Sequence, residues 1–127
     1  MNRVVDLAVS YWAGMFAFGV VLGTARVLLV APHVGELAAV AIELPPMLAA
    51  SWWLARRLTA RRRLAAGAAV AMGALAFALL LASEALLALA LGQDLQRWLA
   101  TLTTAPGALG LVGQLGFAAM PWLVRRG

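Results

Sequence analysis

The sequence predicts an all-α integral membrane protein: four transmembrane helices in a compact bundle, with a short interfacial amphipathic helix between the third and fourth. Three observations lead there. Of the 127 residues, 65% are hydrophobic and 12% are charged, whereas soluble domains carry about 25% charged residues. A water-soluble fold built from this chain would have too little polar surface. The apolar residues fall into four long runs, each reaching the roughly 20 residues that an α-helix needs to cross a hydrocarbon core. The arginines stand at the ends of those runs rather than along one face.

The first run, residues 5–31, carries Asp6, Thr24 and Arg26. It is longer than the roughly 7–15-residue apolar region of a secretory signal and lacks an A-x-A exit, so a retained span is expected. Pro32-His33-Val34-Gly35 predicts a turn, because proline and glycine punctuate helices. The second span, residues 36–55, closes on Trp52 and Trp53, an aromatic-belt signal. A basic loop with Arg56, Arg57, Arg61, Arg62 and Arg63 follows. The third span, residues 64–91, is long enough to tilt. In residues 93–104, Leu95, Trp98, Leu99 and Leu102 recur at helical spacing while Asp94, Arg97 and Thr101 fall elsewhere, which predicts the interfacial helix. Pro106 fits the first turn of the fourth span, residues 106–124, where its missing N–H costs nothing.

Four spans place both termini on one side, together with Arg3, the five loop arginines, Arg125 and Arg126. The positive-inside rule makes that side cytoplasmic. A lysine-free chain rich in alanine, leucine, glycine and arginine fits a GC-rich bacterial genome, hence a bacterial cytoplasmic (inner) membrane. The net charge of +5 is topological, so a nucleic-acid partner is not expected. With no cysteine and one histidine, thiolate sites, disulfides and multi-histidine metal or haem sites are excluded within one chain. No phosphate, dinucleotide or hydrolase motif occurs, so no cofactor and no metal are expected, and the reading leans away from an enzyme, the remaining enzymatic alternative being one that acts on outer-leaflet lipid with a glutamate as general base.

The chemistry gathers elsewhere. At about 1.5 Å of rise per residue, Arg26, Glu43, Glu84 and Gln114 all fall some 8–12 Å below the outer surface, one on each span. A charge at such a depth costs at least about 2.5–3.5 kcal/mol on insertion scales, so it has a partner or a task. Glu36 and Glu43 lie two turns apart on one face. Gly19 and Gly23 form a GxxxG motif that permits close helix approach. Pro45 and Pro46 free backbone carbonyls near Glu43, as broken helices do in transporters. The pattern points to a ligand or ion site made of Glu43, Glu84, Arg26 and Gln114, in a transporter or channel for a proton or small cation. The same residues also suit pairing that only fixes helix packing, and then the chain is an accessory or assembly subunit of a larger membrane complex. Lipid bilayer and either identical copies or unlike membrane subunits are the expected partners. His33 with Glu36 is a candidate external pH-sensing pair, beside the plainer reading of a solvated turn. Trp12, Trp52, Trp53, Trp98 and Trp122 are expected to anchor the interfaces.

Overall fold

The computed structural model describes residues 2–60 and 64–124, and those residues are helical apart from short turns. Helix α1 (Asn2–Ala25) runs without a break into a π-helical turn (Arg26–Val30) and then into α2 (Ala31–Val34). Helices α3 (Glu36–Thr59), α4 (Ala66–Ala90), α5 (Leu95–Thr101) and α6 (Ala105–Val124) follow. Four helical segments are long and apolar enough to cross a membrane: Arg3–Val34, Glu36–Thr59, Ala66–Ala90 and Ala105–Val124. Arg61, Arg62, Arg63, Arg125 and Arg126 lie outside the described residues.

The expected turn at residues 32–35 narrows to Gly35 alone, the chain reversing at its φ of 88°. Pro32 instead sits in the first turn of α2. Its ring crowds the Leu28 carbonyl and it has no N–H to offer it. The wider π turn immediately before, closed by the Ala31 N–H on the Arg26 carbonyl, loosens the helix where the proline must enter.

Helix α3 also outlasts its expected end and takes Arg56 and Arg57 into its last turn. Cations there suit the helix dipole. Each guanidinium also lies over an aromatic ring one turn back, Arg56 at 5.3 Å from Trp52 and Arg57 at 5.5 Å from Trp53. Pro45 and Pro46 lie inside α3, and the helix is not broken there. Helix α5 is shorter than residues 93–104. It begins where the Asp94 carboxylate caps the Arg97 N–H at 2.7 Å and ends at Thr101.

Helices α1 and α6 each pack against both α3 and α4. The half nearer the chain termini holds the core, with Leu7, Tyr11, Met72, Ala76 and Phe117 all buried. Glycines set the closest approaches. A Cβ on Gly73 would run into the backbone carbonyl of Ala118, and one on Gly113 or Gly116 into Leu44 or Leu48. Gly19 and Gly23 do not have that role. A Cβ on Gly19 would meet only Met47 at 3.5 Å, and one on Gly23 would meet nothing within 4 Å. Both glycines line a cavity instead.

Candidate functional site

The half farther from the termini is hollow. A cavity of about 670 Å³ lies among α1, α3, α4 and α6. On α4 its lining runs from Leu80 to Leu91, about 16 Å at the helical rise. Most of its wall is apolar, and Trp98, Thr101 and Leu102 of the α5 region help to line it.

Four polar side chains from four segments share this wall: Arg26, Glu43, Glu84 and Gln114. Arg26 belongs to the π turn, and its guanidinium reaches two carboxylates on α3. Nη1 lies 3.4 Å from Glu43 Oε2 and Nε lies 3.6 Å from Glu36 Oε1. Glu43 is the more sheltered partner, its side chain 17% exposed against 52% for Glu36. Across the cavity the Gln114 side-chain amide donates to Glu84 Oε1, joining α6 to α4. No ion pair involves Glu84 among the described residues, although it lies within electrostatic range of both Arg26 and Glu43. Gln114 Oε1 is buried and accepts no hydrogen bond among the described residues. The group therefore holds three carboxylates against one guanidinium.

Comparison with known proteins gives no match. No family model, curated protein or solved structure is similar to this chain. What the site does must be read from its own chemistry.

Other residues singled out in the sequence fall elsewhere. Pro45 and Pro46 are exposed and do not line the cavity. The carbonyls they leave without i+4 donors are those of Ala41 and Ile42, both exposed residues. His33 and Glu36 are not joined: His33 Nδ1 hydrogen-bonds the Leu29 carbonyl at 2.7 Å, while Glu36 pairs with Arg26. Trp12 donates from Nε1 to Ser83 Oγ at 2.9 Å. Trp98 lines the cavity. No group of three His, Cys, Asp or Glu side chains among the described residues is placed to hold a metal ion.

Sequence reasoning missed Tyr11. Its ring stacks on Phe117 with centroids 4.3 Å apart, and its hydroxyl donates to the Phe117 carbonyl at 2.6 Å. The signal lay in Pro121. A proline inside α6 leaves the carbonyl four residues earlier, that of Phe117, without a donor. The Tyr11 hydroxyl supplies one at the floor of the cavity.

Proposed function

We propose that this chain is a four-span protein of the bacterial cytoplasmic membrane, its helices forming a compact bundle with both termini in the cytoplasm. It moves a proton or small cation by way of the cavity carboxylates. The observation that carries this reading is the asymmetry of partners around the cavity. Arg26 is shared by Glu36 and Glu43, whereas Glu84 is held by a neutral amide. A carboxylate in low dielectric with no fixed counter-charge is costly unless a mobile cation or proton neutralises it. Glu84 is the residue that takes and releases the moving charge. Arg26 pairs with the other two carboxylates and offsets one of their charges, and Gln114 orients the Glu84 carboxylate. The working unit is taken to be a homo-oligomer in the lipid bilayer.

The test is flux into liposomes holding the purified protein. Glu84→Gln is expected to reduce proton or cation flux at least tenfold while leaving the melting temperature and oligomer mass unchanged. Flux equal to that of the unaltered protein overturns the reading. Gentle extraction from the native membrane adds a second check. Stoichiometric unlike subunits and no intrinsic flux make the chain an accessory subunit.

A further inference from the structure

The size and wall of the cavity narrow what Glu84 faces, and this step rests on the transport reading because it names the substrate class of the same site. A proton or bare metal ion fills a negligible part of about 670 Å³, which falls in the roughly 300–1,000 Å³ range of sites for drug-sized molecules. Filling the remainder with water means hydrating a wall that is mostly Met15, Phe16, Leu44, Met47, Leu80 and their neighbours. Apolar cavities of that kind favour an organic body. The polar end is equally selective. Gln114 gives one of its two amide N–H groups to Glu84, and its Oε1 is left buried with no hydrogen bond. The head of a ligand at this point meets the Glu84 carboxylate, which has no ion-pair partner among the described residues, and beside it an amide oxygen that still lacks a donor. Side chains and ligands that donate without accepting are ammonium and guanidinium groups.

We propose that the cavity binds an amphipathic organic cation. Its N–H-bearing ammonium or guanidinium head is held between the Glu84 carboxylate and Gln114 Oε1, and its apolar body lies along the wall between Phe16 and Trp98. The N–H groups matter. A quaternary ammonium carries the charge but cannot satisfy Gln114 Oε1, and it is discriminated against accordingly. The amine is either a soluble amphiphile or the headgroup of an aminophospholipid, which present the same chemistry to the site.

The probe is 2-(1-naphthyl)ethylamine, with its trimethylammonium and carboxylate analogues, titrated against the purified full chain in detergent. The amine is expected to bind, the quaternary analogue at least tenfold more weakly, and the carboxylate not at all. Glu84→Gln and Gln114→Leu are each expected to weaken the amine at least tenfold. Gly110→Leu keeps the result interpretable should either variant fail to fold. A Cβ at Gly110 meets nothing within 4 Å and Gly110 lines the cavity, so this variant fills the cavity with Glu84 and Gln114 unsubstituted, and it is expected to abolish binding with the fold intact. Equal binding of the amine and its carboxylate analogue, or undiminished amine binding by Gly110→Leu, overturns the proposal. Native mass spectrometry separates the two sources. Phosphatidylethanolamine that co-purifies and is displaced by the amine identifies a lipid headgroup, and amine uptake by lipid-free protein identifies a soluble amine. Flux of protons or metal ions without amine binding defeats this inference and leaves the transport reading standing. Binding without flux does the reverse.

Discussion

The two halves of this molecule use the same residue types for opposite ends. Near the termini, glycine brings backbones together: Gly73 seats the Ala118 carbonyl of the facing helix, and Tyr11, Met72 and Ala76 are sealed from solvent. Toward the α5 end, two glycines leave room instead. Gly23 and Gly110 look into open space and line the cavity. Polar groups divide in the same way. In the packed half the Tyr11 hydroxyl donates to a carbonyl. In the hollow half Gln114 Oε1 is buried and unused. Native interiors leave few such atoms, so Gln114 Oε1, together with Arg26 Nε and Glu43 Oε2 on the same wall, marks where the structure was shaped for something other than its own stability.

The largest expected effect breaks the packed half. Gly73→Leu places a side chain against backbone that no rotamer can move. Overpacking costs about 1–3 kcal/mol where side chains can yield, and here they cannot, so loss of folded protein on size exclusion is expected. The matched change in the hollow half has the opposite sign. Gly110→Ala meets nothing within 4 Å and removes a glycine from a helix interior, a gain of about 0.5–1 kcal/mol. A thermal melt in detergent reads both. Equal losses at the two positions would erase the distinction between the halves.

Next in size is Arg26→Gln. It strips the cation from Glu43, whose side chain is only 17% exposed. Removing one partner of a fully buried pair costs about 3–5 kcal/mol, and partial exposure of both side chains here lowers that figure. The loss belongs to the stranded carboxylate rather than to Arg26 itself. The double variant Arg26→Gln/Glu43→Gln is therefore expected to recover most of the lost melting temperature. No recovery would mean that Arg26 stabilises through packing of its stem in the π turn.

The helices and their order were legible because a span is a matter of run length and composition, which the chain states outright. That Arg26, Glu43, Glu84 and Gln114 share one wall follows from counting residues down each span, since helical rise converts position into depth. What failed were inferences from local motifs. Gly19 and Gly23 match GxxxG, but close approach depends on which face meets a neighbour, and that neighbour is absent from a one-dimensional pattern. Gly73 and Gly113 carry the approach with no motif to mark them. Pro32 reads as a turn unless the π turn ahead of it is known. Pro45 and Pro46 read as a break beside Glu43, but they lie on the exposed face of a helix that continues. Pairing was similarly out of reach: Glu36 is nearer His33 in sequence, yet α2 and α3 meet at an angle that gives it to Arg26.

A smaller effect sharpens the account of the packed half. Tyr11→Phe keeps the stack on Phe117 and removes the donor to its carbonyl, an expected loss of about 0.5–1.5 kcal/mol. The loss depends on Pro121, which is why that carbonyl has no helical donor. In a Pro121→Ala background a backbone N–H becomes available to Phe117, and the cost of Tyr11→Phe is expected to shrink toward zero. An undiminished cost in that double-mutant cycle would detach the contribution of the hydroxyl from the proline.

The smallest effect separates the two carboxylates that share Arg26. Glu36 and Glu43 lie on one helix, two turns apart, and reach one guanidinium from opposite sides. Their environments differ: Glu36 is 52% exposed, at the first residue of α3, where an exposed ion pair contributes about 0–1 kcal/mol. Glu36→Gln is expected to shift the melting temperature by less than Tyr11→Phe does, and raising the salt concentration is expected to shrink that small shift further because exposed charges are screened. Arg26 keeps Glu43, so flux is expected to persist. A Glu36→Gln variant that lost flux with its stability unchanged would move the working carboxylates outward, from the Glu84 wall to the mouth at α2 and α3.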